Sequence, residues 1–173
     1  MQRVISVLLE NKFGAFNRVS ALFSGKGFNI SSISIGETEN KEVSRMTLVT
    51  SGDDKIIDQI IKQLNRLIET YKVVDLTKTK AVYRELALIS VSYKKGTRSE
   101  ILDICEIFQG KVVDITNKSI MVEITGPPDK IDAAINILLP YGIIEIARSG
   151  MVALKRGEQE RSLTKNNSEE AND

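Results

Sequence analysis

The residues with most chemistry to offer are Glu10-Asn11-Lys12-Phe13-Gly14-Ala15, a polar stretch between an apolar run at residues 4–9 and a helix-like run at residues 15–24. Glycine has no Cβ, so Gly14 can take positive φ at a turn and let another group come close to the backbone. The amides that follow open a helix, and free N–H groups backed by the positive end of its dipole suit a carboxylate or a phosphate. Asn11 adds a side-chain amide that both donates and accepts. On these residues alone the stretch is either a ligand loop or a plain strand-to-helix turn.

Catalytic chemistry is thinly supplied. The chain has no histidine, and so lacks the usual base of a serine or cysteine triad and the commonest zinc ligand. The single cysteine, Cys105, sits among Ile101, Ile104 and Phe108, which excludes an internal disulfide and reads as a buried core thiol in a reducing compartment. Asp53, Asp54, Lys55 and Asp58 read as a solvated helix start whose acids favour the dipole, with no catalytic role. Lys plus Arg number 24 against 23 for Asp plus Glu, a formal charge of +1, so nucleic acid and anionic membrane find no overall attraction. No run is long enough to span a bilayer. The chain enters a strand directly after Met1-Gln2-Arg3 with no signal-type or transit-type leader, and a cytoplasmic protein is expected, or a stromal one if the gene is plastid-encoded.

The loop must be positioned by what flanks it. The chain has 173 residues, 42% of them hydrophobic, enough to pack one ordinary domain or two small ones. Residues 4–9 are almost continuously apolar, as a central strand covered on both faces would be. Ala15, Val19, Leu22 and Phe23 then recur at helical spacing, closed by Gly25 and Gly27. Residues 28–35 and 43–50 flank the polar turn 37–41 as a hairpin. Ser51 and Asp54 have capping-box spacing ahead of a helix faced by Ile57, Ile60, Ile61, Leu64 and Ile68, and residues 71–77 supply a fourth strand.

The order βαββαβ then repeats. A strand at 86–93 leads to a helix opened by Thr97 and Glu100, faced by Ile101, Ile104, Cys105 and Phe108, and stopped by Gly110. A hairpin of 111–116 and 119–125 follows, then a helix from Pro128 faced by Ile131, Ala134, Ile135 and Leu138, and a strand at 143–147. The predicted fold class is α+β: two ferredoxin-like βαββαβ sandwiches at residues 1–79 and 80–157, divided near Lys78-Thr79-Lys80-Ala81, with a disordered tail at 158–173. Such units leave edge strands and one sheet face available for partners.

That fold serves several function classes, so the residues must choose. An RNA-recognition sheet would carry stacking aromatics, and Val43-Ser44-Arg45-Met46-Thr47-Leu48-Val49 has none. An acylphosphatase-like enzyme would want an arginine in the first turn, where this chain has Lys12. Arg45 and Arg148 each interrupt an apolar strand, marking either an interface or an edge facing water.

The run Arg3-Val4-Ile5-Ser6-Val7-Leu8-Leu9-Glu10-Asn11, with Gly14-Ala15, Arg18-Val19, Leu22-Phe23, Gly27-Phe28-Asn29-Ile30, Ser44-Arg45-Met46-Thr47, Lys62-Gln63-Leu64 and Val73-Val74-Asp75-Leu76, resembles the ACT domain of the small regulatory subunit of acetolactate synthase. Glu106-Ile107-Phe108, Gly110, Val113-Asp114-Ile115-Thr116 and Ala147-Arg148-Ser149-Gly150 extend the resemblance to roughly residues 2 to 157. The resemblance implies a regulatory subunit with no catalytic residues and no cofactor or metal of its own. Thiamine diphosphate, magnesium and FAD belong to the large catalytic subunit, which this chain would stimulate and make subject to feedback inhibition by valine. It also implies a homodimer through paired ACT domains. The amino-acid effector would lie between Asn11, Gly14 and Ala15 of one protomer and Asn29 and Ile30 of the other.

An amino acid needs donors for its carboxylate, an acceptor for its ammonium and a small apolar wall, which the turn amides, the two asparagines and Ile30 could supply. The chain departs from many relatives in having Phe13 before the glycine and Phe16 after Ala15, so valine is favoured while leucine and isoleucine stay open. The second half has Tyr93-Lys94-Lys95-Gly96-Thr97 in place of the Asn-x-x-Gly loop, and is expected to bear on the large subunit. The alternative reading is a free-standing ACT-type sensor acting on another enzyme.

Overall fold

Alternate side chains along β1 (Gln2–Glu10) point to one face, where Ile5, Val7 and Leu9 are fully buried. The computed structural model describes residues 2–26, 28–94 and 96–157. After β1 come α1 (Ala15–Lys26), β2 (Ile30–Glu37), β3 (Val43–Ser51), α2 (Asp54–Asn65) and β4 (Thr70–Asp75). The sheet order is β2-β3-β1-β4, antiparallel throughout. Because β1 and β3 pair Ile5 with Leu48 and Val7 with Met46, these side chains share a face. Val19 and Phe23 of α1 and Ile57, Ile60 and Leu64 of α2 complete the core. Burying each large apolar side chain is worth about 1.5–3 kcal/mol, so this face holds both helices on the sheet.

The second half repeats the pattern with β5 (Ala81–Ser92), α3 (Arg98–Ile107), β6 (Lys111–Ile115), β7 (Ser119–Gly126), α4 (Pro128–Leu138) and β8 (Ile143–Arg148), in the order β6-β7-β5-β8. Its core joins Ile89, Val91, Ile120, Val122 and Ile124 to Ile101 and Cys105 of α3 and to Ile131, Ala134 and Leu138 of α4. Both units are ferredoxin-like. A short strand that periodicity did not reveal, β9 (Val152–Lys155), pairs with β5. By packing, the chain up to Val82 together with the described residues from Ala153 onward forms one compact unit, and Tyr83–Val152 the other. Gly27, expected to close α1, and the tail expected at 158–173 lie outside the described residues.

Three local expectations are corrected. The cap of α2 is Asp53, whose carboxylate accepts from the Ile56 N–H at 2.8 Å. Ser51 ends β3 instead, and an ionised cap gains the dipole as well as the hydrogen bond. Thr97 does stand at the cap position of α3, but its hydroxyl donates to the Lys94 carbonyl at 3.1 Å and caps nothing. The fourth strand stops at Asp75, whose carboxylate accepts from the Thr77 N–H at 2.9 Å and turns residues Leu76–Lys78 into a 3-10 turn.

Candidate functional site

The chain passes from β1 to α1 through residues 11–14, and the passage is fastened where it begins. The Glu10 N–H donates to the Glu69 carbonyl at 2.8 Å and the Asn11 N–H to the Glu42 carbonyl at 2.7 Å. Gly14 takes φ +85°, in the left-handed region that favours glycine. A Cβ on Gly14 would meet no atom within 4 Å, so the space beside it is open.

Ala15 opens α1 and is buried; its N–H donates to the Lys12 carbonyl at 3.2 Å. The N–H groups of Gly14, Phe16 and Asn17 have no acceptor among the described residues. The first turn of α1 carries no acid, whereas α2, α3 and α4 have Asp54, Glu100 and Asp129 there. The positive end of the α1 dipole therefore has no acid in its own first turn.

Two cations beside the loop are paired. Lys12 pairs with Glu10, and Arg18 reaches the buried Glu69 at 2.9 Å. Asn11 is exposed, and its amide nitrogen donates to Glu37 Oε1 at 3.1 Å and to the Lys41 carbonyl at 2.8 Å. Its Oδ1 has no partner among the described residues. None of Glu37, Glu42 and Glu69 stood out in the sequence, because each acts on the loop across a long stretch of chain.

Asn29 and Ile30 stand elsewhere. Asn29 is exposed and its carbonyl accepts from the Thr50 hydroxyl at 2.6 Å; Ile30 opens β2, half-buried against the first core. Ile30 lies opposite Thr50, which lies opposite Arg3 near the start of β1. Glu37 lies opposite Ser44, which lies opposite Leu9 near the end of β1. From Ile30 to Glu37 a strand advances about 23 Å. One chain thus gathers Asn11, Gly14 and Ala15 at one end of the sheet and Asn29 and Ile30 at the other, and β2 is an edge strand.

The two strand arginines differ in their surroundings. Arg45 is half-buried and donates to the Ser6 hydroxyl at 3.0 Å; burial lowers its pKa from the ordinary value, opposed by the charge of Glu39. Arg148 is held inside its own unit by Glu85 and Asp132. Among the described residues no group of three or more Cys, Asp or Glu is placed to hold a metal ion, and no helix is long and apolar enough to cross a membrane.

Residues 5–72 match the family model of the AHAS small subunit-like ACT domain, and residues 84–157 that of the small subunit of acetolactate synthase. A probable acetolactate synthase small subunit from Archaeoglobus fulgidus is 48% identical over 157 residues, covering 91% of this chain and 98% of that one. The chain belongs to the acetolactate synthase small-subunit family. The acetolactate synthase small subunit of Aquifex aeolicus is 49% identical over 156 residues, 90% of this chain and 81% of its own. The crystal structure of the acetolactate synthase small subunit from Thermotoga maritima superposes with a TM-score of 0.84 at 40% identity, over 92% of this chain and 99% of that one. Within this small-subunit fold the first unit is the ACT domain, and the β1–α1 loop belongs to it.

Proposed function

We propose that this chain is the non-catalytic regulatory subunit of a cytoplasmic acetolactate synthase, stimulating a separate large catalytic subunit and conferring feedback inhibition by valine on branched-chain amino-acid biosynthesis. Thiamine diphosphate, magnesium and FAD are assigned to the large subunit, and none to this chain. The observation that carries the effector reading is the separation of the candidate residues to opposite ends of a sheet in which β2 is an edge strand. If two copies pair their β2 edges about a two-fold axis, the strands run antiparallel, and the start of one β2 meets the end of the other. Asn29 and Ile30 of one protomer then approach the loop of its partner, and a homodimer completes two sites.

In such a site the free N–H groups of Gly14, Phe16 and Asn17 receive the effector carboxylate, and Asn11 Oδ1 accepts from its ammonium. Ala15 and Ile30 wall a short aliphatic side chain. Phe13 and Phe16, both exposed, add bulk nearby, so leucine and isoleucine belong in the test beside valine.

The deciding experiment measures large-subunit activity with and without this chain, titrated with each of the three amino acids. Stimulation by the chain, reversed by valine, is expected. Failure of the large subunit to co-purify or to be stimulated would replace this reading with that of a free-standing sensor for another enzyme.

A further inference from the structure

We infer that Asn11 is a positioning residue: it locks the β1–α1 loop to the β2–β3 turn, so that the Gly14 turn and the far end of the β2 edge strand are held as one body. The inference rests on the effector reading only in naming what holds that site in shape.

Three hydrogen bonds from this one residue converge on the turn. Its backbone N–H reaches the Glu42 carbonyl at 2.7 Å, and its side-chain nitrogen reaches the Lys41 carbonyl at 2.8 Å and Glu37 Oε1 at 3.1 Å. The turn that receives them is itself braced. The Thr38 N–H donates to the Val43 carbonyl at 2.9 Å, the Thr38 hydroxyl donates to the Asn40 carbonyl at 3.0 Å, and Asn40 Oδ1 accepts from the Glu42 N–H at 3.0 Å. The braced turn therefore presents the Lys41 carbonyl, and the end of β2 the Glu37 carboxylate, to one amide nitrogen.

Only a short side chain with two hydrogens on one atom satisfies both acceptors at this distance. Aspartate has no donor and serine has one. Glu37 is also the last residue of β2, the strand through which the protomers are proposed to pair. A shift of the loop on binding an effector is then passed directly to the dimer edge, and edge pairing in turn sets the loop, as reciprocal linkage requires.

Hydrogen exchange on the full chain without effector tests the tether. Asn11→Asp removes both side-chain donors and sets a carboxylate against Glu37. The backbone amides of residues 11, 38 and 43 are expected to exchange about three- to tenfold faster, the scale of one hydrogen bond, with Val7 and Leu48 unchanged. Glu37→Gln keeps the acceptor and is expected to stay near wild type, while Glu37→Ala loosens the same amides. Unchanged exchange in Asn11→Asp, or equal exchange in the two Glu37 variants, overturns the inference.

Valine calorimetry then separates positioning from contact. Glu37→Ala, which removes no proposed effector contact, is expected to weaken binding about threefold, and the Asn11→Ala, Glu37→Ala double variant to bind no worse than Asn11→Ala alone. Strictly additive losses, or full affinity in Glu37→Ala, count against the tether. If the wild-type chain binds none of valine, leucine and isoleucine, the effector reading fails, and the exchange rates still decide the tether.

Discussion

The Arg148 guanidinium grips the Glu85 carboxylate with two parallel hydrogen bonds, Nε to Oε1 and Nη2 to Oε2, each 2.7 Å. A third bond, from Nη1 to Asp132 at 2.8 Å, reaches α4. Glu85 is 6% exposed, so the pair fastens β5, β8 and α4 where a lone carboxylate would be costly. The bonds from Glu85, opposed by burial and aided by Asp132, push the Arg148 pKa above its ordinary value. Arg148→Ala is expected to cost roughly 2–4 kcal/mol, less than a fully buried pair because Arg148 is partly exposed. Arg148→Lys keeps the charge without the fork and is expected to lose about half as much. Urea unfolding measures both, and a loss of under about 0.5 kcal/mol in the alanine variant would show the fork to be dispensable.

Gly14 separates backbone from charge. A Cβ there finds open space at a left-handed φ, so Gly14→Ala meets only the conformational penalty of about 1–2 kcal/mol. Gly14→Asp adds a carboxylate where the effector carboxylate is expected, repelling it. Valine inhibition should vanish in Gly14→Asp while stimulation of the large subunit largely persists. Inhibition at the wild-type valine concentration would remove this loop from the site.

Opposite placement of the loop and Asn29 makes a mixed dimer informative. When Gly14→Asp chains pair with Asn29→Ala chains, a shared-site dimer has one site with both lesions and one with neither. Calorimetry should then recover about half the sites at wild-type affinity, as two independent half-sites per interface require. Weak binding alone, after native mass spectrometry has confirmed subunit exchange, would show that each protomer builds its own pocket.

Alkaline pH should weaken the second unit. Burial pushes the Cys105 thiol above its ordinary 9.0, and the 2.9 Å bond to Glu100, then burial and the Glu100 charge, push Tyr141 above 10.0. Folded values that are raised contribute stability in full below the unfolded values, and that stability is lost as pH rises through the folded ones. The chain has no histidine, so no side chain has its ordinary value between about pH 5 and 8. The urea midpoint is expected to hold from about pH 6 to 8 and fall above about pH 9, with a shallower fall in Tyr141→Phe. A midpoint constant up to about pH 11 would contradict both assignments.

Spacing alone placed the inward faces of the helices. Ile57, Ile60 and Leu64, and likewise Ile101 and Cys105, are buried as their helical period demands. The same rule failed one step beyond a helix end. Ile68 continues the period of α2, but α2 stops at Asn65 and Ile68 is 68% exposed. Gly110 follows the end of α3, which stops at Ile107, but the residue in the left-handed region there is Gln109, at φ 51°. Gly110 is needed for room, since a Cβ would lie 2.9 Å from the Glu123 carbonyl oxygen and 3.1 Å from Cys105 Sγ.

By itself the sequence determined the two βαββαβ units, the polar Asn-x-x-Gly stretch between the first strand and helix, and the absence of histidine chemistry. These depend on composition and on periods of two and 3.6 residues, which act over a few neighbours and are visible in order along the chain. Tertiary structure alone decided that Asn11 ties its loop to Glu37 and Lys41, that Arg148 is clamped by Glu85, and that Asn29 stands at the far end of the sheet from Gly14. The first two join residues 26 to 63 positions apart, and the third follows from strand register. Such relations are set by how whole elements pack, because no local preference reaches across that much chain.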